Sequence, residues 1–99
     1  MASDKDGNVV GKGDLARQAE QVFENLMACL ASVGASFEDV TKMTTFIVNY
    51  QPEHRAMIGG LRQRYLPQVN PPASTLLGVQ ALATPEILIE IEATAVLGD

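Results

Sequence analysis

The stretch ILIEIEATAV, residues 87–96, decides the fold. Its side chains alternate between two sets, and a period of two is typical of a β-strand whose faces meet different surroundings. One set is wholly apolar: Ile87, Ile89, Ile91, Ala93 and Ala95. The other set carries two carboxylates: Leu88, Glu90, Glu92, Thr94 and Val96. We therefore predict a strand with a core-facing side and a side that presents two glutamates in the same direction.

Two segments upstream are predicted to be further strands of the sheet. Residues 40–48, VTKMTTFIV, are rich in β-branched side chains, which favour strands. Residues 73–82, ASTLLGVQAL, follow a loop that Pro71 and Pro72 hold extended. Gly78 lies inside this second segment and is a candidate for a β-bulge.

A long amphipathic helix is predicted over residues 14–33. Its apolar side chains recur at the i, i+3, i+4 spacing, Asp14 is a good N-cap, and Gly34 suits the position after the helix. Gln18 belongs to the polar face of this helix. Cys29 belongs to the apolar face, where we expect a small buried hydrophobic residue.

A second helix is predicted over residues 52–65, with Pro52 at its first position. Its apolar stripe is thinner, and it carries a cluster of three arginines, Arg55, Arg62 and Arg64. We interpret this cluster as a solvated face, or as one that pairs with acidic groups across an interface. It is too small, and too poor in aromatic residues, for a nucleic-acid surface.

The predicted order is (β)αβαββ, with a very short first strand at residues 8–11. Two helices packed on one face of a sheet make an α+β fold. The other face of the sheet carries Thr, Met, Ile and Val and is not plainly polar. Because the helices cover only one face, we expect a homo-oligomer that buries the second face.

Composition narrows the classes of function. Ninety-nine residues fit a single domain, residues 1–99, and 46% hydrophobic residues argue against disorder. A net charge of −5 disfavours a nucleic-acid partner. One cysteine excludes a disulfide framework, no apolar run approaches the ~20 residues of a membrane helix, and the N-terminus lacks a signal-like apolar region. We expect a soluble cytoplasmic protein with no membrane partner.

Few residues are suited to catalysis. His54 is the single histidine, and its neighbours indicate a surface residue. We find no phosphate-binding glycine motif and no metal-ligand spacing, so no metal and no cofactor are expected. Glu90, beside Glu92 among apolar neighbours, is a candidate acid or base, although a wet sheet face or arginines of another chain would explain the pair equally well. Ser74 and Thr75 offer hydroxyls to a small polar ligand.

Four segments resemble the Rid family, the reactive intermediate deaminases, also known as YjgF, translation-inhibitor-like or endoribonuclease L-PSP-like proteins. The first two are GNVVG at residues 7–11 and VGASFEDVTK at 33–42, which is similar to the family's AGAS-x-x-DVVK segment. The others are PASTLLGV at 72–79 and IEIEA at 89–93, which are similar to its closing signature. Together they extend over almost the whole chain.

The resemblance implies a chorismate-mutase-like (Rid-like) α+β fold, a homotrimer, and ligand sites in clefts between subunits. In the best-known branch the activity is hydrolysis of enamines and imines to 2-oxo acids and ammonia, which would make the chain a hydrolase or deaminase. There an Arg binds the substrate carboxylate and a strand Glu positions water, a role that Glu90 matches. Ser74, Thr75 and Leu76 correspond to the substrate-binding element.

The sequence departs from that branch at two places. Ser74 stands where the carboxylate-binding Arg is expected, and a hydroxyl cannot clamp a carboxylate as a guanidinium does. The strands that family members carry ahead of Gly7 are missing, which predicts an N-terminally short sheet, either natural or from a truncated gene prediction. Three functions follow: binding or hydrolysis of an unknown small molecule, a non-catalytic ligand-binding or regulatory trimer, or the usual 2-aminoacrylate deaminase.

Overall fold

The predicted helices and strands are present in the computed structural model, which describes residues 2–97. The helices and strands in chain order are α1 (Leu15–Ser32), a 3₁₀ turn (Phe37–Asp39), β1 (Val40–Val48), α2 (His54–Tyr65), β2 (Ala73–Val79) and β3 (Ile89–Ala95). The sheet has the order β2-β1-β3, with β1 parallel to β2 and antiparallel to β3. The α+β class is confirmed.

The register of the sheet fixes which side chains share a face. Thr45 of β1 lies between Leu76 and Ile91, on the face that the helices cover. The next residue, Phe46, lies between Leu77 of β2 and Glu90 of β3 on the opposite face. Because side chains alternate along each strand, this single row assigns every other residue of the three strands to a face.

Gly78 is not a bulge, in contrast to the prediction. The pairing of β1 with β2 continues without a shift through Gly78. A Cβ atom on Gly78 would lie 2.9 Å from the Cβ of Tyr50, so the glycine allows the chain after β1 to pass close over β2. The register shift in the sheet lies instead between Val40 and Lys42, where β1 pairs with β3.

Both ends of α1 carry the predicted capping residues. The Asp14 carboxylate accepts a hydrogen bond from the Arg17 N–H at 3.0 Å. Gly34 has a φ of +74°, and its N–H donates to the Ala31 carbonyl. The Ala35 N–H donates to the Leu30 carbonyl at 2.9 Å, which completes a Schellman motif.

The core lies between the two helices and the covered face of the sheet. Its largest members come from α1, β1 and β3, among them Phe23, Ile47 and Ile89, all at most 1% exposed. Phe23 stacks on Tyr65 of α2 with ring centroids 5.1 Å apart. The apolar set of the last strand faces this core, as predicted, since Ile87, Ile89 and Ile91 are buried.

Gln18 does not lie on a polar face; the prediction was wrong here. It is 0% exposed, and its amide nitrogen donates to the carbonyls of Gly11 at 3.2 Å and Glu86 at 2.8 Å. Its Oε1 accepts from the Leu88 N–H at 2.8 Å. Residues 11 and 86–88 fold over the start of α1, and this cover buries a position that the helical period places outside.

Cys29 is exposed, although the sequence predicted it to be buried. Met27 and Val33, which also belong to the apolar stripe, are 43% and 64% exposed. The buried residues of α1 all come from its first half, Gln18 to Phe23. The second half therefore extends past the part of the sheet that this chain supplies.

Two starts of elements differ from the prediction. α2 begins at His54, because Pro52 and Glu53 form a turn in which the Gln51 carbonyl accepts from the His54 N–H at 2.9 Å. The expected short strand at residues 8–11 is reduced to one antiparallel bridge between Ser3 and Val9. Within residues 2–97, no helix is long and apolar enough to cross a membrane.

Candidate functional site

A groove of about 440 Å³ lies between α2 and β2. Its helical wall is formed by Arg55, Ile58, Gly59 and Arg62, whose spacing of three and four residues places them on one face of α2. Ile58 is buried and continues into the core, whereas the other three border the open space. The groove is therefore apolar at its base and basic along one side.

The sheet supplies the opposite wall. Thr45 of β1 and Ser74 and Leu76 of β2 line it, all from the face that the helices cover. Thr45 is only 5% exposed, while Ser74 lies on the exposed edge strand. Tyr50 closes one end of the groove, where it passes over Gly78. Two hydroxyls thus face two guanidinium-bearing side chains across the groove.

The three arginines of α2 do not act together. Arg64 points away from the groove toward α1, where its guanidinium contacts the Glu20 carboxylate at 3.3 Å and lies over the Tyr65 ring. Arg55 and Arg62 line the groove, and no Asp or Glu lines it with them. The prediction of one solvated basic face is therefore wrong for Arg64, and the other two form a separate basic wall.

Glu90 lies on the other face of the sheet. It pairs with Phe46, and Glu92 pairs with Thr44 in the next row. Thr75 also pairs with Thr44 and therefore belongs to this face. The proposed site residues are thus divided: Ser74 and Leu76 line the groove, whereas Thr75 and Glu90 lie on the uncovered sheet face. Within one chain, Glu90 and Ser74 are separated by the sheet itself.

Sequence reasoning missed the role of α2 in this groove. The arginines were recognised as a cluster, but the spacing of Arg55, Gly59 and Arg62 already indicated one shared helical face. Which structure that face would meet depends on how α2 rotates against the sheet, and the helix's own pattern does not give this. The chemistry available here is hydrogen bonding and charge, since no three His, Cys, Asp or Glu residues within residues 2–97 could hold a metal together.

The chain matches the model of the family described as Endoribonuclease L-PSP over residues 1–97. It is 32% identical over 89 residues to a RutC family protein of Synechocystis, which covers 90% of this chain and 66% of that protein. Similar values hold for a RutC family protein of Pyrococcus horikoshii, with 35% identity. The chain thus spans about two thirds of the length of these relatives.

Solved structures agree with this match. A Rid family protein of unknown function from Yersinia pestis superposes with a TM-score of 0.93 at 42% identity, covering 98% of this chain and 73% of that one. RidA from a Psychrobacter species superposes with a TM-score of 0.79 at 27% identity, covering 93% and 71%. The likeness to these proteins extends over both helices and the whole mixed sheet, and the chain belongs to the Endoribonuclease L-PSP family, which includes the Rid, YjgF and RutC proteins.

Proposed function

We propose that this protein binds a small molecule in the groove between α2 and β2, in a site completed by another copy of the chain in a homotrimer. The observation that carries the proposal is the groove itself. Polar and basic side chains converge on a cavity between a helix and a strand, which hold their positions better than loops do. One wall, β2, is the edge strand of the sheet and is open to a neighbouring molecule.

Hydrolysis of an imine or enamine is the reaction we propose for this site, with Glu90 of a neighbouring copy as the catalytic group. A carboxylate that accepts a proton from water helps the water oxygen attack the imine carbon. The C–N bond then breaks, ammonia leaves, and a 2-oxo compound remains. Since Glu90 and Ser74 occupy opposite faces of one sheet, a ligand near Ser74 meets a glutamate only if a second molecule brings it.

The test is the hydrolysis of 2-aminoacrylate, generated enzymatically and followed to pyruvate with and without the protein. We expect faster conversion than in buffer, loss of the acceleration in Glu90→Gln, and retention in Glu92→Gln. Glu92 is the matched control because it lies on the same face one row away. No acceleration with the native protein would reject hydrolysis of this substrate.

A second candidate function is ligand binding without catalysis. The observation that favours it is Ser74, because the Rid deaminases to which the chain is similar place an Arg there to hold the substrate carboxylate. The two candidates differ in one measurement. A non-catalytic protein would show a ligand-dependent rise in melting temperature in a metabolite screen, and 2-aminoacrylate would decay at the rate seen in buffer.

A further inference from the structure

Arg55 and Arg62 are the two arginines of the chain that lack a carboxylate partner. Within residues 2–97, neither guanidinium forms an ion pair or a hydrogen bond. The other two arginines, Arg17 and Arg64, both contact Glu20. In a protein of net charge −5, with abundant carboxylates available as partners, two unpaired cations on one wall of a cavity require an explanation.

The electrostatic setting of the groove favours an anion. No acidic side chain lines it, so no local charge offsets the two guanidinium groups. Thr45 and Ser74 add hydroxyl donors from the opposite wall. A guanidinium binds carboxylate and phosphate oxygens through two parallel N–H donors, a geometry that no other side chain matches.

Gly59 provides a second, independent observation. It lies in the interior of α2, where glycine costs about 1 kcal/mol relative to alanine. A Cβ atom there would meet nothing within 4 Å, so packing within the chain does not demand a glycine. Gly59 lies between Arg55 and Arg62 on the groove face, and the missing side chain leaves the helix backbone open between the two cations.

We infer that the groove binds a small dianion, a dicarboxylate or a phosphate monoester, with Arg55 and Arg62 as the cationic contacts. The two residues are seven positions apart, about 10.5 Å along the helix axis, and their long side chains bring both charges within reach of one small ligand. Gly59 leaves room for the body of the ligand. The inference rests on the proposed function, since it names the ligand class of that same groove, and it supplies from α2 the charge that Ser74 cannot provide.

Isothermal titration of the full chain at low ionic strength tests this with three probes: succinate, inorganic phosphate and acetate. We expect succinate or phosphate to bind at least tenfold more tightly than acetate, and the tighter of the two identifies the source of the anion. Arg62→Gln and Arg55→Gln should each weaken that binding at least tenfold, and Arg64→Gln by less than twofold. Absence of binding for all three probes, or an equal loss in Arg64→Gln, would overturn the inference.

Gly59→Ala and Gly60→Ala form a second matched pair. Both glycines lie in α2 with nothing within 4 Å of an added Cβ, so both variants should fold and melt at a higher temperature. Only Gly59 borders the groove, and only Gly59→Ala should weaken dianion binding, by about fivefold or more. Equal affinity in both variants would count against the inference.

The outcome separates the inference from the proposed function. Dianion binding that depends on Arg62, without any 2-aminoacrylate hydrolysis, would support the inference and reject the reaction. Hydrolysis that is unchanged in Arg55→Gln and in Arg62→Gln would support the reaction and overturn the inference.

Discussion

Gln18 is the clearest case of a single residue that the fold depends on. Its side-chain amide satisfies three backbone groups, which belong to Gly11, Glu86 and Leu88. These groups lie on two segments far apart in the sequence, one before α1 and one before β3. The residue therefore connects the helix to both segments through hydrogen bonds that water does not reach, since Gln18 is fully buried.

We predict that Gln18→Leu lowers the free energy of unfolding by about 3 kcal/mol. The leucine fits the volume, but it leaves the Leu88 N–H and two carbonyls without partners, and each buried unsatisfied group costs about 1–3 kcal/mol. Urea denaturation measures the change. Gln63→Leu on the exposed side of α2 is the control and should alter stability by less than about 0.5 kcal/mol. Equal effects of the two substitutions would show that the buried amide has no special role.

Gly78 is the second residue with a defined steric role. An added Cβ would lie 2.9 Å from the Tyr50 Cβ, which belongs to a short connection and not to a flexible side-chain end. We predict that Gly78→Ala destabilises the protein by about 1–2 kcal/mol, because Tyr50 or β2 must move. Thermal unfolding by circular dichroism measures this. A melting temperature equal to or above that of the native protein would contradict the contact.

At the scale of elements, the start of α2 depends on His54. Its Nδ1 accepts a hydrogen bond from the Gln51 N–H at 3.0 Å, and its ring meets Tyr50 edge-on with centroids 5.8 Å apart. This resembles a capping box in which a side chain at the helix start bonds back to the residue three positions earlier. The histidine predicted to be an uninvolved surface residue thus fixes the entrance to the helix that carries the groove.

We predict that His54→Ala lowers stability by about 1 kcal/mol, the usual cost of a lost cap. His54→Glu should restore most of this loss, since a glutamate at this position accepts the same N–H in standard capping boxes. Denaturant midpoints of the three proteins decide the matter. If alanine and glutamate were equally destabilising, the hydrogen bond would not be the cause.

Helices and strands were predictable because each carries its own period. The alternation in residues 87–96 assigned both faces of β3, and Asp14 and Gly34 marked the ends of α1. The groove was not predictable, because it depends on the rotation of α2 against β2. Gln18 and Cys29 were misassigned for a related reason: burial follows from what covers a helix, and residues 11 and 86–88 cover only its first half.

At the scale of the whole molecule, the sheet leaves one face without helices. Phe46, Leu77 and Glu90 form one row across it, and Leu77 is 43% exposed. A face with both apolar and charged groups suits an interface between copies, in which the apolar groups are buried and the carboxylates meet partners. Three copies packed in this way would also bring Glu90 of one molecule toward the groove of the next.

We predict that the native protein has the mass of a trimer and that Leu77→Lys dissociates it, because a charge on the buried row cannot be desolvated without a partner. Val69→Lys is the control, since Val69 is 79% exposed in the loop before β2. Sedimentation equilibrium gives the mass of all three proteins. A native protein that stays monomeric at micromolar concentration would contradict the shared site.

Chemical-shift mapping of the ¹⁵N-labelled protein with succinate and with phosphate tests the central claim, the groove as the ligand site, most directly. We predict that the largest changes in amide shift occur at Thr45, Gly59, Arg62 and Ser74, and that they saturate with added ligand. Amides of the second half of α1, such as Cys29, should not move. Changes confined to α1, or no saturable change at the groove with either anion, would contradict it.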